Sequence, residues 1–392
     1  MKKTILLLSL LSVFALKAQN GSNYNPIITG APFLRIAPDA RSGGLGDQGV
    51  ATSPDAFSQY WNPAKYVFGT SYSGVGVSYT PYMNKLTNDV FLLNGSFYTF
   101  LGEEERSTLA ASIYYFNMGE IQLNTLMPGS SEIYNMGVSK PNEFAIDFSY
   151  GLKLADVYSM AVTARYIRSD LFNNISNTNN AQTKAANTFA VDLTGYFQSD
   201  RTSSFAGYEG RWRAGWGIFN MGPKLDYSDD DSQNSSFLPT NLRLGVGYDL
   251  FFDDENKLGL TFEATKLLVP APKPVYDEDG NIVGKEIPDD SFISGMFKSF
   301  GNKDAMKEIT YSISGEYTFN NAFAFRAGYF YENPDKGARQ YVTLGAGLKY
   351  QSFGIDLSYL ITTSNVNNAL DNTLRFGLTW DFGGETSTNN DY

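Results

Sequence analysis

Apolar and polar residues alternate along this chain with a period of two, and this alternation constrains the fold more than any other feature. Between residues 143 and 153 the even-numbered positions are apolar: Phe144, Ile146, Phe148, Tyr150 and Leu152. The odd-numbered positions are small, polar or charged, for example Asp147 and Ser149. Because successive side chains of a β-strand point to opposite faces, this segment predicts a strand with one apolar and one polar face.

About fourteen segments show this alternation, and most are about 9–12 residues long, the length that a tilted strand needs to cross a bilayer. They lie near residues 72–80, 90–100, 107–117, 143–153, 157–168, 186–198, 211–220, 240–252, 257–268, 308–319, 321–332, 340–350, 352–362 and 373–382. Beyond the first residues no run of about 18 apolar residues occurs, which excludes a spanning helix. The sequence predicts an all-β transmembrane antiparallel β-barrel of about 14 strands. A soluble β-sandwich would also alternate, but not over so many full-length strands.

The links between these segments also alternate in length. The links expected outside the cell are mostly long: 118–142, 169–185, 221–239 and 269–307. The links expected on the periplasmic side are mostly short: 154–156, 253–256, 320–321 and residue 351. Long outer loops and short periplasmic turns are typical of outer-membrane barrels, and an even strand number fits a bacterial barrel. We therefore predict an integral protein of the outer membrane, in contact with its lipid and lipopolysaccharide.

The first residues resemble a cleavable signal peptide. Lys2 and Lys3 precede an apolar run from Ile5 to Leu16, and the small residue Ala18 stands before the expected cleavage point. The run is about a dozen residues long, too short for a spanning helix, which needs about 20. The predicted organisation is a signal peptide at 1–18, an N-terminal hatch or plug at 19–70, the barrel at 71–383 and a polar C-terminal tail at 384–392.

The composition excludes much catalytic chemistry. The chain has no Cys and no His, so it has no thiol nucleophile, imidazole base or Ser-His-Asp triad. Its net charge of −11 argues against a nucleic-acid partner, which would require a basic face. We therefore expect no enzymatic activity and no cofactor.

The polar faces of the predicted strands carry charges of both signs. The cations are Arg165, Arg211, Arg213, Arg243, Arg326 and Arg375, and the anions are Asp147, Asp192, Asp249, Glu263, Glu316 and Asp356. A charge on the lipid face costs about 2–4 kcal/mol at mid-depth, so these residues are expected to line the lumen. The balance of signs suggests ion pairs in a filled interior, although each charge could also simply solvate the wall.

Residues 19–70 do not continue the alternation. They are rich in Pro and Gly, with a short helical candidate at 54–60, and they contain too many aromatic residues for a disordered tail. A segment of this size before the first strand predicts a plug inside the lumen. We expect Asn62 and Asp39 to satisfy buried backbone groups, Gly44 and Gly46 to permit close packing, and Trp61 to be buried.

Two motif-like patterns have simpler explanations. Residues 44–49 match G-x-G-x-x-G, but no parallel sheet surrounds them, so close backbone packing is favoured over a dinucleotide site. Asp277, Asp279 and Glu286 partly imitate a calcium loop, but the flanks are rich in proline. A β-hairpin turning at Asp279-Gly280 is the simpler interpretation.

The longest predicted outer link contains apolar residues at helical spacing. They are Phe292, Ile293, Met296, Phe297 and Phe300. An exposed apolar helix face normally has a partner, so we select Phe292, Met296, Phe297 and Phe300 as candidate partner-binding residues. The same face could instead fold back on the rim of the barrel or enter the outer leaflet.

Residues 37–56, with the sequence APDARSGGLGDQGVATSPDA, and the run Trp61-Asn62-Pro63-Ala64-Lys65 closely resemble the PorV family. Members of this family are outer-membrane barrels of the type IX secretion system of Bacteroidetes. The Asn62-Pro63-Ala64 step also resembles the hatch of the wider FadL family of fourteen-stranded barrels. The hatch motif of the resemblance comprises Asp39, Arg41, Gly44, Gly46, Asp47, Trp61, Asn62 and Pro63.

The resemblance implies a function in protein export. Proteins of this family associate with the large translocon barrel, collect exported proteins by their C-terminal signal domain, and deliver them to a cell-surface attachment complex that includes a sortase-like protease. We expect the links 118–142, 221–239 and 269–307 to hold the signal domain, with the acidic run Asp229–Asp231 steering a basic partner. The alternatives are a FadL-like channel for hydrophobic small molecules and a lipid A deacylase-like hydrolase. The hydrolase would require a Ser-Lys or carboxylate arrangement that the sequence does not show.

Overall fold

The computed structural model describes residues 25–82, 89–126, 133–171, 184–203, 207–227, 235–276, 282–286, 288–302, 304–364 and 372–386. The predicted signal peptide, residues 1–18, lies outside this part of the chain. In the described part, no helix is both long and apolar enough to cross a membrane.

Fourteen antiparallel strands form one closed sheet. Each strand pairs with the next along the chain, and the last pairs with the first, so the barrel has no free edge. The strands are β1 Ser71–Pro81, β2 Val90–Leu101, β3 Ser107–Met118, β4 Asn142–Ala155, β5 Tyr158–Asp170, β6 Ala186–Gln198, β7 Glu209–Met221, β8 Asn241–Phe251, β9 Asn256–Leu267, β10 Ile309–Phe319, β11 Phe323–Tyr331, β12 Gln340–Tyr350, β13 Phe353–Thr362 and β14 Leu374–Glu385. The predicted fold and strand number are confirmed.

The apolar face of the sheet points outward, as the alternation predicts. Phe148 in β4 and Phe189 in β6 are 63% and 70% exposed, whereas their neighbours Asp147 and Ala190 are buried. Phe144 and Phe376 belong to the same outward set. Lipid tolerates only this register, because a shift by one residue would turn every buried charge outward.

The two ends of the barrel differ. At one end, here called the short-link end, strands join by turns such as Asn320-Asn321, where φ is +51° and +48°. Both residues adopt the left-handed conformation, which Asn tolerates, and the Ala322 amide donates to the Phe319 carbonyl at 3.0 Å to close the turn. At the opposite, long-link end the connections are long, as predicted. Thr202–Ser203, in the one longer connection at the short-link end, pairs with β7.

Residues 25–69, here called the interior segment, lie inside the barrel. Their helical elements are the 3-10 helix Pro32–Arg35, α1 at Ala40–Gly43, α2 at Ser58–Trp61 and the 3-10 helix Pro63–Phe68. The segment starts at the long-link end, where the Asn25 amide donates to the Asp335 carbonyl at 2.8 Å. It ends at the short-link end, where the Thr386 hydroxyl donates to the Gly69 carbonyl at 2.6 Å. The segment therefore crosses the lumen from end to end.

The long links carry secondary structure of their own. Hairpins form from Ile121–Leu126 with Ile133–Ser139, Lys273–Tyr276 with Ile282–Glu286, and Leu225–Asp226 with Ser235–Ser236. The link between β9 and β10 also contains α3 at Phe292–Lys298 and the 3-10 helices Ser299–Gly301 and Ala305–Glu308. The expected hairpin around Asp279-Gly280 therefore has paired strands, while its turn residues 277–281 lie outside the described residues.

Two predicted boundaries differ from the structure. The last strand continues to Glu385, beyond the expected end at 383, because Ser71 pairs with Glu385 across the closing seam. The helical candidate at 54–60 is a shorter helix shifted to Ser58–Trp61. Cross-strand pairing, which periodicity does not report, sets the first of these boundaries.

Candidate functional site

The interior segment packs against opposite walls of the barrel. Helix α1 contacts β12, β13 and β14, whereas the 3-10 helix Pro63–Phe68 contacts β4, β5 and β6. Glycines permit the closest approaches. Gly46 has φ of +73°, and a Cβ there would stand 3.1 Å from the backbone of Tyr329 in β11. A Cβ on Gly215 in β7 would overlap the carbonyl oxygen of Val50.

Asp39 and Asn62, two residues of the hatch motif, form buried hydrogen bonds that fix the segment. The Asp39 carboxylate accepts from the Ser42 amide at 2.8 Å and from Trp61 Nε1 at 2.7 Å. Trp61 is only 3% exposed. Asn62 Nδ2 donates to the carbonyls of Val50 and Gly195 at 2.9 and 3.0 Å, so it joins the segment to β6.

The remaining motif residues lie close to these two. Pro63 follows Asn62 as the first residue of a 3-10 helix, where its missing N–H is no loss. A Cβ on Gly44 would stand 2.9 Å from Gly345 Cα in β12. Asp47 accepts from Arg375 at 2.6 Å and from the Tyr341 hydroxyl at 2.7 Å. The structure thus brings the motif together inside the lumen.

Arg41 is the centre of a buried ion-pair chain. Its guanidinium meets Asp55 at 2.6 Å and Glu316 at 2.9 Å. Glu316 also pairs with Arg326 at 2.6 Å, and Arg326 continues to Asp356 at 2.5 Å. The chain joins the interior segment to strands β10, β11 and β13. Such a network orders the groups that it contains.

Two further arginines inside the barrel, Arg165 and Arg213, are paired as well. Arg165 meets Asp147 at 2.8 Å and Asp192 at 3.0 Å, and Arg213 meets Asp249 at 2.8 Å. Two interpretations of the balanced charges were open on sequence grounds, and the structure supports ion pairing in a filled interior.

Helix α3 presents apolar side chains on the long-link face. Ser291 caps its first turn, and Gly295 lets it approach Phe237 of the neighbouring link closely. Of the predicted partner-binding residues, Phe297 and Phe300 are 75% and 53% exposed, whereas Phe292 and Met296 are half-buried.

Two further residues extend this exposed apolar set. Ile293 is 56% exposed and shares one face of α3 with Phe297, four residues later. Phe300 follows in the 3-10 helix Ser299–Gly301. Met306, 73% exposed, belongs to the following 3-10 helix and was not predicted. No periodic signal links Met306 to α3, because a change of helix type separates them. Ile293, Phe297, Phe300 and Met306 are called the outer apolar patch below.

Charged groups border the patch. A hydrogen bond from Lys298 holds the pKa of the Asp290 carboxyl below its usual range, and hydrogen bonds to Asp335 and Asp304 raise the pKa of Lys307. Both groups therefore stay charged at neutral pH. The acidic run Asp229–Asp231 and the carboxylates of Asp277 and Asp279 lie outside the described residues. Among the residues that are described, no cluster of ligands could hold a metal ion.

Comparisons with known proteins agree with this architecture. The chain is similar to CymD, a monoaromatic hydrocarbon channel, with a TM-score of 0.50 at 12% identity over 89% of this chain and 98% of that one. It is equally similar to the toluene transporter TodX of P. putida, with a TM-score of 0.50 at 10% identity over 89% and 99% of the two chains. At such identities the likeness shows the fold alone. Among curated proteins, none matches in sequence.

A family model gives the more specific result. The model for the type IX secretion system protein PorV matches residues 18–274, which include the interior segment and strands β1 to β9. That range covers well over half of the chain. The match, the closed barrel and the outward apolar face together identify an outer-membrane β-barrel of a secretion system. The chain belongs to the PorV family of the type IX secretion system.

Proposed function

We propose that this protein holds exported proteins by their C-terminal signal domain at the long-link face and passes them to the cell-surface attachment complex. The observation that carries the proposal is the contrast between a lumen filled by the interior segment and an outer face that exposes apolar side chains. We infer that its partners are the large translocon barrel, the signal domains and the sortase-like attachment complex. The proposal includes no catalytic step.

The filled lumen argues for docking rather than conduction. A channel for hydrophobic molecules requires an apolar pocket beneath the outer links. The cavity at that position holds about 80 Å³ and is lined by charged groups such as Arg243, Glu332 and Arg339. An apolar ligand entering it would have to desolvate those charges, which is unfavourable.

The outer apolar patch has the properties of a protein-docking surface. Its members are large, exposed and adjacent, and charged residues such as Lys298 and Lys307 border them. Binding energy at interfaces comes mainly from a few large apolar anchors with a polar rim. The patch also has a fixed base, because Gly295 packs on Phe237 and Lys224 pairs with Asp289 at 3.1 Å.

The first experiment removes the patch without touching the barrel. A variant with Ile293→Ser, Phe297→Ser and Phe300→Ser replaces the native protein in the producing cells. We expect less exported protein in the medium and less cargo co-purifying with the barrel. The matched control is Tyr208→Ser, which removes an exposed aromatic side chain at the short-link end. Equal cargo retention by both variants would contradict the proposal.

The second experiment fixes the interior segment in place. A Cβ built on Gly377 of β14 lies 3.6 Å from the Cβ of Ala40 in α1, within the range that a disulfide requires. The chain contains no other Cys, so Ala40→Cys with Gly377→Cys has only one pairing. We expect the oxidised variant to support secretion. If the oxidised variant does not support secretion while the patch variant does, the docking function is wrong and a FadL-like channel explains the protein better.

A further inference from the structure

The cavity beneath the long links contains cations that the protein does not fully pair. It lies between the interior segment and strands β8 to β12, and its volume of about 80 Å³ has room for several water molecules. Its charged lining consists of Arg35, Asp47, Arg243, Glu263, Glu308, Glu332, Lys336 and Arg339. A site of this size and polarity suits a small polar ligand rather than a hydrocarbon.

All four carboxylates of the lining are already engaged. Glu332 accepts two hydrogen bonds from the Arg339 guanidinium at 2.7 and 3.0 Å, and Glu308 lies between Lys266 and Lys336 at 2.8 and 3.3 Å. Glu263 accepts the amides of Gly49 and Val50, both at 2.9 Å. Asp47 is held by Arg375 and Tyr341.

Arg243 is a buried cation of the cavity lining whose guanidinium keeps one nitrogen without a hydrogen-bond partner among the described residues. It is 6% exposed, and its Nε donates to Asn241 at 3.0 Å. Its guanidinium lies 4.5 Å from the ring of Phe219 and 5.3 Å from the rings of Tyr60 and Trp61. Its Nη1 atom is buried without a hydrogen-bond partner among the described residues. A buried charged donor left unsatisfied is costly, so a ligand that accepts from it would be favoured.

Arg35 and Asp192 are the two charged neighbours that bear on the pairing of Arg243. Arg35 approaches Glu332 only to 3.7 Å, which is beyond hydrogen-bonding distance, and its side chain is 25% exposed. The oxygens of Asp192 are engaged by Arg165 and by the Asn220 amide. Arg35 and Arg243 therefore both face the cavity with donor capacity to spare, and Arg35 lies on the exposed side.

We propose that this cavity binds one small oxyanion, a carboxylate or a phosphate group, between Arg243 and Arg35, and that the anion enters from the long-link face. Guanidinium groups match the planar, paired oxygens of such anions and bind them by charge-assisted hydrogen bonds. None of the four patch residues lines the cavity, so anion binding can be tested separately from the docking function.

Trp61 lines the cavity and provides the signal for a binding experiment. The other tryptophans, Trp212, Trp216 and Trp380, are replaced by Phe, and the purified barrel is titrated at constant ionic strength with acetate, phosphate or acetamide. We expect saturable changes in fluorescence with acetate, phosphate or both, which identifies the preferred class of anion. Acetamide has the shape of acetate without its charge and should give none.

Variants then assign the site. Arg243→Gln should weaken anion binding by about tenfold or more, because a charge-assisted hydrogen bond is lost. Arg35→Gln, at a more exposed position, should weaken it by a smaller factor. Lys349→Gln removes a cation at the short-link end, where the side chain is 45% exposed, and should have no effect. Circular dichroism checks that each barrel is folded.

The binding measurements can support the anion site or overturn it. Saturable binding that both arginine variants weaken and the Lys349 variant leaves unchanged supports the site. The absence of a saturable response to either anion, or equal affinities in the native protein and in folded Arg35→Gln, would overturn the proposal. Unchanged secretion in the patch variant, together with normal anion binding, would overturn only the docking function.

Discussion

The barrel wall and the interior segment are stabilised in different ways. The wall consists of fourteen similar strands, and each contributes apolar side chains to the outer face and ladder hydrogen bonds to both neighbours. The interior segment has little regular structure and depends on particular buried contacts, such as Asp39 with Trp61 and Arg41 with Glu316. The wall is repetitive, whereas each contact of the segment is unique.

Single substitutions should therefore matter more in the interior segment than in the wall. Repetition spreads the stability of the wall over many equivalent residues, so an apolar exchange there is tolerated. A unique buried contact has no substitute, and its loss leaves a partner uncompensated. The substitutions below test this contrast in order of decreasing effect.

The largest effect is expected for Arg41→Ala. Removing the guanidinium leaves Asp55 and Glu316 buried without their shared cation, which should lower the free energy of unfolding by about 3–5 kcal/mol. Equilibrium denaturant unfolding from lipid vesicles measures the change. The control is Arg106→Ala, at an exposed arginine, which should stay within about 0.5 kcal/mol. Similar losses in the two variants would show that the Arg41 ion pairs do not dominate.

A charge on the lipid face should have the next largest effect. Phe148 lies midway along β4 and is 63% exposed, so Phe148→Arg places a cation near the bilayer centre. We expect it to lower the free energy of unfolding by about 2–4 kcal/mol in vesicles. Phe148→Leu keeps the face apolar and should cost much less. If both variants unfold at the same denaturant concentration, Phe148 does not face lipid.

The smallest effect concerns the contact between wall and segment. Gly215→Ala adds a methyl group that overlaps the Val50 carbonyl, so β7 or the segment must shift. Overpacking of this kind costs about 1–3 kcal/mol. Gly95→Ala, in β2, meets only the Ile113 side chain at 3.5 Å and serves as the matched control. Thermal unfolding compares the two, and equal midpoints would mean that segment and wall are loosely packed.

The same contrast explains what could be predicted from the sequence. The wall was predictable because its alternation repeats in every strand and lipid permits only one register. Phe148 and Phe189 could therefore be assigned to the outer face before any coordinates. Only local boundaries such as Glu385 were missed, because cross-strand pairing at the seam sets them.

The contacts of the interior segment could not be predicted in this way. The resemblance selected Asp39, Arg41 and Asp47, but not their partners, because Glu316 and Arg375 are 275 and 328 positions away in the chain. Arg243 was expected to line the lumen, yet its position against three aromatic rings depends on the path of the segment. Met306 was missed because exposure on an irregular link leaves no periodic signal.

The end-to-end course of the interior segment has a mechanical consequence. Asn25 is hydrogen-bonded to Asp335 at the long-link end of the barrel, and Gly69 is hydrogen-bonded to Thr386 at the short-link end. A closed ring has no gap through which an enclosed chain can swing sideways, so the segment can leave only by sliding along the axis. Sliding would move α1 and Pro63–Phe68 past opposite walls at once. The same chain therefore forms both the closed barrel and the segment inside it, and hydrogen bonds hold that segment at both mouths of the barrel.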